Sequence, residues 1–431
     1  MVFNPMDSRS LYTMVDYNSR IMQPIADYAF GLADQINAFS EQINIPGGIP
    51  YLPALTNFFS YFQQPLRSIA ASLYAFHTFV DMYEKPEFGI IETKLAGKFV
   101  EVIEIVASRR IFCDLLHFKK LSDVQQPVMI VVAPMSGHYA TLLRDTVRDL
   151  LPYYDVYITD WKNARDIPLS KGGFDFTRFV NYIIEFIQFL GPDVHVMAVC
   201  QPTVPVITAV SLMASENDPK AAKSVTLIGG PIDTTQMPTP VNDLADTRRI
   251  NWFQQHVVSI VPHNYPGAMR LVYPGFMQLF SFFTMNFERH RRSIGQAIKH
   301  FADGKIEESQ KITRFYREYL SVMDITAEFY TQTISIVFQE KLLPKGKLTW
   351  RGLHVCPQDI TNTAVLAIEG ARDDITGVGQ TKAVLDLCAN LPASKKAYHL
   401  QEDVGHYGLF NGEKFRNRIL PLIREFTTLH G

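Results

Sequence analysis

Apolar and polar positions follow two kinds of pattern along this chain, and the change falls near residue 97. Residues 1–90 hold apolar positions at helical spacing, Pro-rich breaks and many aromatic side chains, so we interpret them as a helical N-terminal extension. From about residue 97 onward, short apolar runs typical of strands alternate with helix-length segments. The strand-like runs are FVEVIEIVAS, FCDLLHFKK, VMIVVAP, DVYITDW, VHVMAVC, SVTLIGG, TAVLAIEG and KAYHLQ.

This alternation predicts an α/β fold with a doubly wound, mostly parallel sheet and crossover helices. The alternation is interrupted between about residues 231 and 358 by a stretch of helices and loops rich in aromatic residues. Because such folds keep their sites beyond the carboxyl ends of the strands, we interpret this insertion as a helical cap over that edge. The predicted domains are the N-terminal extension (1–90), the first part of the core (91–235), the cap (236–357) and the second part of the core (358–431).

The charge of the chain is close to zero, with 41 basic and 43 acidic side chains. This balance argues against a nucleic-acid partner and against a polybasic membrane anchor. The first twenty residues lack the apolar core of a signal peptide, and the uncharged stretch 42–66 is broken by prolines. Neither export nor a membrane span is therefore predicted. The four cysteines have neither disulfide nor metal-ligand spacing, which favours a reducing, cytoplasmic location and no metal site.

The segment Val194–Pro205 is the strongest candidate for chemistry. Its apolar run ends on Cys200 and passes directly into a helix-start signal with Pro202, so the thiol is predicted at the tip of a strand-to-helix turn. This turn presents the nucleophile in α/β-hydrolases, although their usual G-x-S-x-G motif has glycines where this chain has Ala198 and Pro202. A helix N-terminus also favours the thiolate. The alternative is that Cys200 is a small buried apolar residue.

In this fold the acid and the base follow the nucleophile along the chain, after the next-to-last and the last strand. His406 lies in a Gly-rich loop after the strand AYHLQ and is the predicted base. His399 lies within that strand and is a weaker candidate, while a solvated loop histidine is the alternative for His406 itself. Asp373 is the predicted acid that orients the imidazole, and its neighbour Asp374 competes for this role.

The backbone N–H groups of Gln201 and Met135 are the predicted oxyanion-hole donors. Met135 belongs to a loop that also holds Ser136 and His138, two candidates for substrate contact. For His138, helix capping or packing is the favoured alternative. The remaining cysteines lack the setting of a nucleophile and are interpreted as packing residues: Cys113, Cys356 and Cys388. No metal or cofactor is expected.

Several longer strings of the sequence resemble those of one known family. They are YEKPEF (83–88), APMSGHYATLLRDTVRDLLP (133–152), VYITDWKNAR (156–165), CQPTVPV (200–206), SLMAS, GGPID (229–233), the stretch from NYPG to VYPGF (264–276), GARDDITGVGQT and GHYGLFNG. With these motifs the chain is similar to intracellular poly(3-hydroxybutyrate) depolymerases over about four-fifths of its length or more.

This resemblance implies a cytosolic hydrolase that associates with storage granules and cleaves their polyester into 3-hydroxybutyrate oligomers or monomers. The family's Cys-Asp-His triad falls on Cys200, Asp373 and His406, and its reaction would pass through an acyl-thioester. A homo-oligomer is one of two alternatives for the aromatic residues of the cap and the extension. These residues suit contacts with the polymer, or they suit core and dimer contacts. Two other functions are open as well, a polyhydroxyalkanoate synthase-like acyltransferase and a catalytically silent granule-associated protein.

Overall fold

The computed structural model describes residues 85–279 and 287–431, together with ten positions between 12 and 35. The predicted N-terminal extension therefore lies almost entirely outside the described residues, as do most of its aromatic side chains. Contacts divide the chain into two compact units. The first comprises Met1–Pro86 and Gly275–Met323, and the second comprises Glu87–Pro274 and Asp324–Gly431.

The second unit contains a nine-stranded sheet, and its strands include all eight of the predicted runs. The strand order is β1-β2-β3-β5-β4-β6-β7-β13-β14, in which the neighbours from β5 to β14 are parallel. The predicted α/β-hydrolase fold with a mostly parallel sheet is thus confirmed. The strands are β1 (Glu92–Leu95), β2 (Lys98–Arg109), β3 (Cys113–Lys120), β4 (Val128–Val132), β5 (Asp155–Trp161), β6 (Val194–Val199), β7 (Ser224–Ile228), β13 (Ala364–Gly370) and β14 (Lys396–Gln401).

Burial explains why the central strands are almost uniformly apolar. Every residue of β6 and of β13 is buried, as expected for parallel strands that are covered on both faces. Among the covering helices of this unit, Phe176–Leu190 starts where the Asp175 carboxylate accepts the backbone N–H of Arg178 at 2.8 Å. The helices of the core are α1 (Arg144–Leu150), α2 (Phe176–Leu190), α3 (Thr203–Ser215), α9 (Val384–Leu387), α10 (Gly412–Lys414) and α11 (Leu420–His430).

The insertion between β7 and β13 contains short strands as well as the predicted helices. β8 (Ser259–Ile260), β9 (Leu271–Tyr273) and β10 (Ile325–Thr326) form a three-stranded sheet, and β11 (Thr349–Trp350) pairs with β12 (Leu353–His354). In the first unit, the helices Phe287–Ala302 and Ile306–Leu320 pack against each other. The helices of the insertion are α4 (Pro240–Thr247), α5 (Ile250–His256), α6 (Phe287–Ala302), α7 (Ile306–Leu320) and α8 (Ala327–Thr333).

Arg270 fastens the insertion to the core of the second unit. Its buried guanidinium donates to the carbonyl oxygens of Ile167, Pro168 and Gly172 at 2.9 to 3.2 Å. A planar group with five donors is suited to holding several carbonyls at once. Within the part of the chain that the structure describes, no helix is long and apolar enough to cross a membrane.

Candidate active site

Cys200 occupies a strained turn between β6 and α3. Its φ of 65° lies in the left-handed region, which costs free energy for a residue with a side chain. The turn is held on both sides: the Cys200 N–H donates to the Ile228 carbonyl at 2.8 Å, and the Cys200 carbonyl accepts both the N–H and the hydroxyl of Thr203 at 3.2 and 2.9 Å. The backbone strain is thus maintained by the strand and the helix that flank it.

Two glycines after β7 make room for this turn and for the loops beside it. A Cβ atom on Gly230 would lie 1.9 Å from the hydroxyl oxygen of Thr203, so only glycine allows β7 and α3 to approach this closely. Gly229 has a φ of 56°, and a Cβ there would lie 3.4 Å from both Asp373 Oδ2 and His406 Cε1. The GGPID string therefore belongs to the wall of the site.

His406 and Asp373 come together although 32 residues separate them in the sequence. The Nδ1 atom of His406 is 2.7 Å from Asp373 Oδ2, and the two side chains are only 4% and 1% exposed. The other carboxylate oxygen accepts the N–H groups of Ile375 and Thr376 at 2.9 Å each. Because a carboxylate can only accept, Nδ1 carries the hydrogen and Nε2 is left for Cys200.

The charge on His406 is set by opposing influences. Burial lowers its pKa, but the electrostatic interactions and hydrogen bonds with Asp373 and Cys200 outweigh burial and raise the pKa well above its ordinary value of 6.5. The thiol of Cys200 thus lies within hydrogen-bonding reach of the imidazole. A sulfur, an imidazole and a carboxylate in this order can supply a nucleophile, a general base and an orienting acid.

Glu369 supports the loop that carries Asp373, and the sequence analysis missed it. This carboxylate at the end of β13 is buried, and it accepts the N–H groups of Gly379 at 2.8 Å and Thr381 at 2.7 Å and the hydroxyl of Tyr398 at 2.8 Å. Thr381 in turn exchanges hydrogen bonds with the backbone of Gly230. The available signal was a carboxylate inside the otherwise apolar run AVLAIEG, since a buried charge needs partners.

The loop after β4 brings Met135, one of the two predicted oxyanion donors, next to Gln201, which holds the other. Its first residue, Ala133, is fixed to β5: the N–H donates to the Thr159 hydroxyl at 2.9 Å, and the carbonyl accepts the indole N–H of Trp161 at 2.8 Å. Farther along, the Met135 N–H donates to the side-chain oxygen of Gln201 at 3.2 Å. Among the described residues, no backbone carbonyl accepts a hydrogen bond from the backbone N–H of Gln201.

The other candidates lie elsewhere or remain without an assigned role. Asp374 is exposed, so Asp373 is the neighbour that contacts the imidazole. His399 lies within β14 with its Nε2 atom 3.1 Å from the side-chain oxygen of Gln401. His138 is 2% exposed, in keeping with a packing role, whereas Ser136 is half-buried. In the described residues, no group of three or more His, Cys, Asp and Glu side chains could hold a metal ion.

The interpretation of the remaining cysteines as packing residues needs one correction. Burial raises the pKa of the Cys113 thiol well above its ordinary value, and it raises the pKa of Cys388 to about 12, as expected for packing residues. Cys356, however, is only half-buried, and its Sγ atom lies 3.0 Å from His354 Nδ1. The sequence analysis looked for a distant histidine and overlooked one two residues away, which the hairpin of β11 and β12 turns toward the thiol.

The sheet order, the strained turn at Cys200 and the His406–Asp373 pair define the chain as an α/β-hydrolase. Residues 229–430 match the family model described as PHB de-polymerase C-terminus. This part of the chain is similar to the polyhydroxybutyrate (PHB) depolymerase family, as its motifs had indicated, and the match supports a carboxylic ester hydrolase. The matched range includes Asp373 and His406, whereas Cys200 lies before it.

Three solved structures illustrate what the chain is similar to at low sequence identity. An esterase from Thermogutta terrifontis is 12% identical, with 77% of this chain and 100% of that chain covered and a TM-score of 0.39. A 2-hydroxy-6-oxo-6-phenylhexa-2,4-dienoate hydrolase from Rhodococcus sp. strain RHA1 is 15% identical, with 76% and 99% covered and a TM-score of 0.40. A monoacylglycerol lipase from Paleococcus ferrophilus is 13% identical, with 71% and 96% covered and a TM-score of 0.38. No curated protein matches.

Proposed function

We propose that this protein hydrolyses the ester bonds of poly(3-hydroxybutyrate) by acyl transfer through Cys200. The observation that carries the proposal is the meeting of three features: a thiol in a strained turn, an imidazole beside it, and a buried carboxylate that fixes the imidazole. The family match over residues 229–430 supports the polyester as the substrate class.

In the first step, the Cys200 thiolate attacks the ester carbonyl carbon, and the carbonyl electrons move onto its oxygen. The N–H groups of Met135 and Gln201 are the proposed donors to this oxyanion. When the tetrahedral intermediate collapses, the C–O bond to the leaving alcohol breaks and His406 gives its proton to the departing oxygen. The products are a free hydroxyl end and a 3-hydroxyacyl thioester on Cys200.

In the second step, a water molecule attacks the thioester while the now neutral His406 accepts its proton. The C–S bond breaks, the Cys200 thiolate is restored beside the protonated imidazole, and a carboxylate end is released. Asp373 acts throughout on His406, by holding the Nδ1–H tautomer and by stabilising the imidazolium that forms. The raised pKa of His406 is consistent with this role, since it favours the imidazolium beside the thiolate.

The substrate places the enzyme at the surface of storage granules in the cytoplasm, and this location is part of the proposal. The polymer is neutral and carries methyl groups, so a partner surface for it needs apolar area rather than charge. The net charge of −2 is in keeping with such a partner. A cap formed by residues 236–357 and a homo-oligomer likewise remain proposals.

Incubation of native granules with the wild type and with Cys200→Ala tests the function. We expect the wild type to reduce turbidity and to release 3-hydroxybutyrate or its oligomers as free acids, and the variant to do neither. Equal turbidity loss by both proteins would remove the thiol from the reaction. Inclusion of CoA separates the alternatives: formation or consumption of a CoA thioester instead of free acid would point to an acyltransferase, and an intact granule with the wild type would point to a silent surface protein.

A further inference from the structure

The side chain of Gln201 is hydrogen-bonded to one of the two proposed oxyanion donors. Its amide oxygen accepts the Met135 N–H at 3.2 Å, while the backbone N–H of the same residue is the other proposed donor. An amide carbonyl oxygen is chemically close to the ester carbonyl oxygen that the donor would receive during the reaction. The resting site therefore holds a substitute for the substrate's own oxygen.

We propose that Gln201 is a removable plug of the oxyanion hole, so that a substrate carbonyl enters only as this side chain swings away. The inference rests on the proposed function and adds a positioning role for one residue of that site. The plug and the backbone donor of Gln201 are separable, because rotation about the side-chain bonds moves the amide and leaves the N–H in place. Met135 also needs no movement, because the loop is already fixed to β5 through Ala133.

The displacement has a cost that every ester substrate shares. A short ester and a polymer segment must both give up the Met135–Gln201 hydrogen bond before a carbonyl oxygen can enter. Remote contacts of a polymer raise its own kcat/KM but leave this cost unchanged. One neutral hydrogen bond corresponds to a factor of about two to ten in an equilibrium, so the plug should lower kcat/KM for either substrate by about that factor.

Gln201→Met tests the proposal, because methionine has a similar length and lacks the amide oxygen. We expect kcat/KM for a short soluble ester such as p-nitrophenyl butyrate to rise by about two- to tenfold, and kcat/KM for 3-hydroxybutyrate oligomers to rise by a similar factor. Gln254→Met, on the exposed face of α5, is the matched control and should leave both rates unchanged. Thermal melting of each variant checks that the fold is intact.

An unchanged or lower kcat/KM for the short ester in Gln201→Met would overturn the plug, since the bond would then be neutral or would serve to hold the Met135 loop. A rise for the short ester with no rise for oligomers would also overturn the plug, because every ester carbonyl must displace the same side chain. Failure of the proposed function gives a different result: Cys200→Ala would retain esterase activity. An inactive Cys200→Ala together with a slowed Gln201→Met would therefore remove the plug and leave the function standing.

Discussion

Two cysteine–histidine pairs occur in the second unit, and they differ in what surrounds them. Cys200 meets His406, whose other nitrogen lies 2.7 Å from the buried carboxylate of Asp373. Cys356 meets His354 at 3.0 Å, but the other nitrogen of His354 lies 2.6 Å from the Gly346 backbone carbonyl. Both acceptors fix the tautomer that turns an unprotonated nitrogen toward the thiol. Only the carboxylate also stabilises an imidazolium.

The backbone and the surroundings extend the contrast. Cys200 stands in a left-handed turn just before a 13-residue helix, near the two backbone N–H groups that are proposed to bind an oxyanion. His354 is exposed and lies within a two-stranded hairpin, so water competes for every contact of the second pair. We therefore expect proximity of a thiol and an imidazole to be insufficient for acyl transfer. The comparison predicts that the proposed chemistry needs a buried charge, a strained turn and fixed donors acting together.

Removal of each thiol in turn is the most direct way to test this comparison. Cys200→Ala should lower hydrolysis of a soluble ester by about 10³-fold or more, because the proposed acceptor of the acyl chain is removed. Cys356→Ala should leave the rate within about twofold of the wild type, as a change away from the site usually does. Steady-state kinetics on both variants measures this. A large loss in Cys356→Ala, with the melting temperature unchanged, would mean that the wrong pair has been assigned.

Asp373→Asn should make the first pair behave like the second. An amide can still accept a hydrogen bond from His406 but carries no charge, so we expect kcat to fall by about 10²- to 10⁴-fold. The raised pKa of His406 should fall as well, and the pH at which the imidazolium loses its proton should move down toward the ordinary value of 6.5. The pH dependence of kcat/KM, or histidine titration by NMR, measures this. Asp374→Asn is the matched control and should change neither quantity.

The same charge links His406 to stability. A folded-state pKa above the unfolded value means that the imidazolium stabilises the fold at pH values below 6.5, and that this contribution is lost as the pH rises through the folded pKa. Denaturant unfolding of the wild type should thus show a decline above pH 6.5 that is reduced in Asp373→Asn. An identical pH dependence in both proteins would show that this carboxylate does not set the charge of the imidazole.

The sequence predicts the first pair better than the second for a physical reason. Strand patterns and chain order place Cys200, Asp373 and His406 at the same edge of a parallel sheet, because the carboxyl ends of such strands lie together. The contact of His354 with Cys356 depends on the twist of a short hairpin, which no periodic pattern encodes. The hydrogen bond between the Gln201 side chain and Met135 is equally difficult to predict from the sequence, because it depends on a single side-chain rotamer.

Glu369→Gln tests the buried carboxylate that supports the loop of Asp373. The Cys356–His354 pair has no such carboxylate beside it among the contacts described above. The new amide nitrogen would face N–H groups that now donate to a carboxylate, so we expect the free energy of unfolding to fall by about 2–3 kcal/mol. Activity at a temperature where the variant is folded should fall as well, because the loop of Asp373 loses its anchor. Glu402→Gln, at an exposed glutamate, is the matched control and should stay within about 0.5 kcal/mol of the wild type. Urea unfolding provides both values.

Thr203→Val should have the smallest effect, because it removes only one part of the support for the Cys200 turn. The hydroxyl of Thr203 donates to the Cys200 carbonyl at 2.9 Å, but the N–H of Thr203 still donates to that carbonyl at 3.2 Å. Valine has a similar shape, so it fills the same space. Because the N–H still pairs with the Cys200 carbonyl, no buried acceptor is left without a partner, and the free energy of unfolding should fall by about 1 kcal/mol. Thr247→Val, at an exposed hydroxyl, is the matched control. A loss of several kcal/mol in Thr203→Val would show that the hydroxyl, rather than the helix and β7, maintains the left-handed turn.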